Sequence, residues 1–132
     1  MNGNMILYNS ATAIIMYLKT REYLYIAIEG YPNMEKMNEF YHALLRGVAQ
    51  SNANKFLFDT SRISVIKNED MLWLSNNITP ILLKHKGVKV AFIKPENVFG
   101  MKSVDTLCKL MRNSANACIF SNMEKAENWL FQ

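Results

Sequence analysis

Three short apolar runs, at residues 56–59, 88–93 and 117–120, each follow a stretch whose apolar residues recur every three or four positions. Runs this short read as strands, and the three-and-four spacing before each of them reads as one face of a helix. Helix then strand, repeated in this way, returns each new strand to the side of the last through a right-handed crossover, so the later strands run parallel. Ahead of them Thr12, Ile14, Met16 and Leu18 alternate with Ala13, Ile15 and Tyr17. After the polar turn Lys19-Thr20-Arg21-Glu22, Leu24, Ile26 and Ile28 alternate with Tyr23, Tyr25 and Ala27. Period two on both sides of a short polar turn predicts an antiparallel hairpin with one buried face. Met5 to Tyr8 is a weaker strand candidate, closed by Asn9-Ser10. The fold class expected is α/β: one mixed sheet, antiparallel at its N-terminal hairpin and parallel later, flanked by about four helices. A single domain over residues 1–132 is expected.

The helices can be bounded from their caps. Asn33 suits an N-cap with Glu35 in the first turn, and Met34, Met37, Phe40, Tyr41, Leu44, Leu45 and Val48 form an apolar stripe ending near Asn52. Asn68 is expected to cap a second helix carrying Glu69, Asp70, Met71, Leu74, Ile78, Ile81 and Leu82. Pro80 should kink or restart it, with Thr79 as a new cap, and Lys84, His85 and Lys86 suit its C-terminus before Gly87. A loop at residues 94–97 and a turn through Asn97-Val98-Phe99-Gly100 lead to a helix marked by Val104, Leu107, Cys108 and Met111. Ser121 and Glu124 fit a capping box for a closing helix docked through Met123, Ala126, Trp129 and Leu130.

Composition excludes several classes. The chain is 50% hydrophobic and 20% charged, ordinary for a globular protein. Its longest apolar run, Ala13 to Leu18, is far too short to span a bilayer, and no basic segment followed by an apolar one reads as a leader. Cys108 and Cys118 lack metal-type spacing and read as small buried hydrophobes, which fits a reducing cytoplasm. The net charge is +4, and between Lys84 and Arg112 the bases Lys84, Lys86, Lys89, Lys94, Lys102, Lys109 and Arg112 face only Glu96 and Asp105. This reads as solvated helix and strand ends rather than a site for an acidic partner or phosphate backbone, since no aromatic residues interleave as in single-strand binders. Nucleic acid is therefore not an expected partner. No glycine-rich phosphate loop or nucleophile elbow is present. His42 lies off its helix stripe and reads as a surface residue. Glu69 and Asp70, adjacent on a helix, point about 100° apart and form no acid–base pair. Neither a metal nor a cofactor is expected.

One place stands out. Phe56-Leu57-Phe58 stops at Asp59-Thr60-Ser61, and a carboxylate ending a buried strand needs hydrogen-bond partners. It either ties down the loop that follows or meets a ligand. Parallel strands at 56–59 and 88–93 end on one edge of the sheet, where ligands of open α/β sheets gather. The candidate binding residues are therefore Asp59, Thr60, Ser61, Arg62, Asn68 and Glu69, with Asn97, Phe99, Gly100 and Lys102 alongside.

The segment Phe56-Leu57-Phe58-Asp59-Thr60, residues 63–70, Trp73, Pro80, Val90-Ala91-Phe92-Ile93, Asn97-Val98-Phe99-Gly100 and residues 119–130 together resemble the SpoIIAA-like group of the STAS superfamily, relatives of bacterial anti-sigma-factor antagonists. The resemblance covers most of the chain from about Glu29 onward. It implies a mixed sheet flanked by helices, a bacterial regulatory or protein-interaction module, and often no catalysis. In the phosphoswitch antagonists a phosphorylatable serine opens the helix after the aspartate-ended strand; here that region reads Asn68-Glu69-Asp70-Met71. The leading expectation is a non-enzymatic module with a protein partner and no phosphoserine switch. The alternative is a carrier of a hydrophobic or lipid-like small molecule, as in relatives of similar shape, and the nine methionines suit either surface. The sequence leaves a homodimer open.

Overall fold

A computed structural model describes residues 4–31, 34–82 and 86–132. Asn33, Lys84 and His85 lie outside these residues, as do the side chains of Met34, Glu35 and Leu82, so the helix-end roles read for them go untested. Among the described residues the chain forms β1 (Asn4–Asn9), β2 (Ala13–Leu18), β3 (Tyr23–Ile28), α1 (Met34–Ser51), β4 (Lys55–Asp59), α2 (Asn68–Leu82), β5 (Lys89–Ile93), α3 (Val98–Met111), β6 (Asn116–Phe120) and α4 (Met123–Leu130).

The strands lie in one sheet in the order β1-β2-β3-β4-β5-β6. β1, β2 and β3 form an antiparallel meander, so the expected hairpin is extended by the weak N-terminal candidate, with a bulge between Ile6 and Tyr8. β3 to β6 are parallel, and Leu57 pairs with Ala91 as a central-strand reading requires. Because every crossover advances the sheet in the same direction and the same hand, α1, α2 and α3 all fall on one face. Phe40, Leu44, Ile78, Val104 and Met111 from these helices bury against Ile15, Ile26, Phe56 and Phe92. Among the described residues α4 is the one helix on the other face, where Ala126 and Leu130 bury against Leu57, Ala91 and Ile93. The Lys89 ammonium donates to the Trp129 carbonyl oxygen at 2.9 Å and sits over that indole, fastening α4 to β5.

Several local readings shift. α4 is capped by Asn122, whose side chain accepts from the Lys125 amide at 2.9 Å, one residue later than the Ser121 box. α2 begins at Asn68, with the Met71 amide bonded to the Lys67 carbonyl, so Lys67 holds the cap position. Pro80 lies inside α2, which continues to Leu82 without restarting. Thr79 Oγ1 is buried without a hydrogen-bond partner among the described residues and recaps nothing. Residues 98–100 are the first turn of α3 rather than a loop, because Asn97 caps them. Cys108 is buried, but Cys118 is only half-buried, since edge strand β6 is covered incompletely. Trp129 is likewise half-buried at the margin of α4.

Candidate functional site

The pleat of β4 divides the expected site. Asp59 ends the strand pointing to the α4 face, in a cross-sheet row with Ile14, Ala27, Ile93 and Phe120. Thr60, one residue on, points the other way. Its hydroxyl donates to the Ile93 carbonyl at 2.6 Å and its amide to the same oxygen at 3.2 Å. Thr60 is thus a buried clip joining the ends of β4 and β5.

Asp59 is held from both sides. One carboxylate oxygen accepts the Tyr25 hydroxyl at 2.8 Å; the other accepts the Ser61 amide at 3.1 Å and the Ser61 hydroxyl at 2.6 Å. This is an Asx turn that starts the loop. Beyond it, the Arg62 carbonyl accepts the Gly30 amide, and the Ser64 amide donates back to the Gly30 carbonyl. Arg62 reaches Glu29 at 3.7 Å, an exposed pair worth little in stability. Between this loop and the β1–β2 turn runs a groove of about 390 Å³, with Ser10, Thr12, Tyr25, Glu29, Asp59 and Arg62 on its walls.

The second group of candidates is built on α3. Asn97 accepts the Gly100 amide at 2.6 Å and donates to the Ile63 carbonyl at 2.7 Å, so one side chain caps the helix and grips the β4–α2 loop. Gly100 is required by closeness: a Cβ there would stand 2.7 Å from the Ile63 oxygen. Ser103 adds a third tie, its hydroxyl accepting the Ile66 amide at 3.0 Å. With the backbone so held, Val98 and Phe99 are 78% and 72% exposed. Lys102 lines a shallower depression of about 520 Å³ with Lys94, Val98, Met101 and Asp105.

The loops after β4 and β5 are therefore neighbours, as expected, but they present two surfaces. Asp59, Ser61 and Arg62 look onto the groove. Asn97, Phe99, Gly100 and Lys102 gather at the start of α3, while Asn68 and Glu69 lie exposed on the first turn of α2 and line neither surface. Sequence reasoning missed Tyr25 and Glu29. Tyr25 carried a signal, because its alternation phase sets it on the face opposite the buried Leu24 and Ile26. Among the described residues the basic ones form no single stripe: Lys89 is engaged by Trp129, Lys109 pairs with Asp105, and Arg112 donates to the Ala117 carbonyl. Among the described residues no cluster of His, Cys, Asp and Glu could hold a metal, and no helix is long and apolar enough to cross a membrane.

No protein-family model and no curated protein matches the chain. Solved structures do. Apo-SiaC from Pseudomonas aeruginosa superposes with a TM-score of 0.57 at 16% identity, covering 89% of this chain and 98% of that one. A second structure of SiaC gives 0.56 at 14% identity, with 89% and 95% covered. An uncharacterized protein of the DUF3478 family with a SpoIIAA-like fold, from Shewanella loihica PV-4, gives 0.54 at 17% identity, with 93% and 97% covered. The fold is SpoIIAA-like. At these identities the likeness is one of fold, and it agrees with the architecture that the sequence resemblance implied.

Within this SpoIIAA-like sheet two phenols are shifted, Tyr25 at the groove and Tyr23 at the other end of β3. Burial, reinforced by the Asp59 acceptor, pushes the Tyr25 hydroxyl well above the ordinary tyrosine range. Tyr23 is raised in the same way, by burial and by its 2.7 Å bond to Glu127. Burial also raises the Cys108 thiol, which keeps it protonated. Both tyrosines hold their protons more tightly in the folded chain than in the unfolded one, so the stability they contribute is complete below the unfolded tyrosine value near 10 and is lost as pH rises above it. Melting temperature measured from pH 8 to 11.5 should fall steeply above about pH 10. The Tyr25→Phe variant should fall less steeply; an identical slope would show that Asp59 does not hold the phenol in solution.

Proposed function

We propose that this chain is a non-enzymatic regulatory module, a single domain over residues 1–132, which works in the cytoplasm by presenting the edge at the ends of β4 and β5 to a protein partner. The observation that supports this reading is the pair Val98 and Phe99. Two large apolar side chains stand in solvent on a backbone fixed by Asn97, Gly100 and Ser103. A rigid platform carrying exposed apolar groups is what a binding hot spot needs, since little order must be created on association. Lys94, Lys102 and Asp105 beside them then supply its polar rim.

The phosphoserine switch has no place in this reading. The residues opening α2 carry no hydroxyl, and Thr60 is committed to Ile93. A hydrophobic carrier function is disfavoured by the groove, whose walls are mostly polar. The test is Phe99→Asp beside Arg62→Ala. Both positions are exposed, so each variant should keep its melting temperature to within roughly 0.5 kcal/mol of stability. Phe99→Asp should weaken capture of the partner from the host at least tenfold, and Arg62→Ala by less. Undiminished capture by Phe99→Asp would refute the reading.

A further inference from the structure

Among the described residues, no helix lies on half of one sheet face. α4 packs over β4, β5 and β6, and on β3 it reaches Tyr23, which is fully buried. Beyond that limit, Ile6 pairs with Met16 and Met16 with Tyr25 in one cross-sheet row, and Ile14 pairs with Ala27 in the next. These side chains lie on the face opposite buried Ile15 and Ile26. Ile6 is 59% exposed, and Ile14, Met16, Leu18 and Ala27 are each half-buried. An α/β sheet normally covers such surface with helices.

The patch has a definite size and charge pattern. The outer two of three strands stand about 10 Å apart, the width of one helix, and six residues of strand run about 20 Å. That footprint matches one helix of roughly 13 residues lying beside α4. Two copies packed face to face over roughly 10 Å by 20 Å would bury well under the ~1,200 Å² that a specific interface needs. β1, β2 and β3 contain no charged residue. The ends of the patch differ: Glu29 and Asp59 stand against Arg62 at one, Lys19 and Arg21 against Glu22 at the other. A helix dipole fits this field in one orientation, its positive N-terminus over the acidic end.

We infer that the bare face of β1, β2 and β3 docks an amphipathic helix of a partner protein, laid parallel to α4's layer with an uncharged apolar stripe on Ile6, Ile14 and Met16 and its N-terminus beside Glu29 and Asp59. This completes the second helical layer in trans. It is a separate surface from Val98 and Phe99.

The test replaces Met16 by the photo-cross-linker p-benzoylphenylalanine, irradiates the full chain in host lysate, and sequences the attached peptide. That peptide is then synthesised and titrated against the wild-type chain, Met16→Lys and Phe99→Asp. The expected adduct is a segment with apolar residues every three and four positions. Its synthetic peptide should gain helicity on binding, lose at least tenfold in affinity to Met16→Lys, and bind Phe99→Asp as well as wild type. Failure on Phe99→Asp alone would overturn the separate-surface claim while leaving the proposed edge intact. An adduct to a second copy of this chain or to lipid, no adduct at all, or unchanged affinity for Met16→Lys would each overturn the inference.

Discussion

Removing residues 123–132 should leave a chain without a cooperative unfolding transition. Among the described residues α4 is all that covers Leu57, Ala91 and Ile93 on their face, and Leu130 and Ala126 are themselves fully buried there. Burying one large apolar side chain is worth about 1.5–3 kcal/mol, so exposing Leu57 and Ile93 while losing Leu130 costs roughly 5 kcal/mol or more. The stability of a whole domain is only about 5–15 kcal/mol. The truncated chain should bind a hydrophobic dye and melt without a sigmoid, as followed by circular dichroism and urea titration. An unchanged melting temperature would mean that α4 is an ornament on a sheet stabilised from one side.

Gly100→Ala sets two effects against each other. Alanine inside a helix is favoured over glycine by about 1 kcal/mol. Its Cβ, however, would meet the Ile63 carbonyl oxygen at 2.7 Å, a backbone atom pinned by Asn97. Overpacking of this kind costs about 1–3 kcal/mol, and here relief requires α3 and the β4–α2 loop to separate. The clash should win, lowering the melting temperature by roughly 3–8 °C. It should also weaken partner capture, because the separation moves the platform under Val98 and Phe99. A melting temperature at or above wild type would show that the loop yields freely.

The architecture was legible because the periodicities were clean. Residues 12–18 and 23–28 alternate without interruption, and Phe40, Leu44 and Val48 or Val104, Leu107 and Met111 mark helices on their own. Boundaries failed where two residues could do the same job. Ser121 and Asn122 can both cap a helix, and the choice fell to the one whose side chain reaches the Lys125 amide. Asn97 was visible, but its double duty to Gly100 and Ile63 depends on two loops meeting, which no local pattern encodes. The candidate site was half legible for the same reason. That β4 and β5 end on one edge follows from parallel pairing; that Asp59 and Phe99 serve different surfaces follows from the pleat and from how far α4 extends. An eight-residue helix beside a six-stranded sheet must leave strands uncovered, yet nothing in its own sequence says which.

The strand order has a kinetic consequence. Since each strand pairs with its immediate predecessor in the chain, every long-range contact in the sheet spans only one turn or one helix. Relative contact order is therefore low for a six-stranded mixed sheet, and refolding should be fast among α/β domains of its size. The meander can form as soon as it leaves the ribosome, and each later helix–strand pair adds to a finished edge. Only the covering of β4, β5 and β6 on the second face must wait for residues 123–130 to emerge.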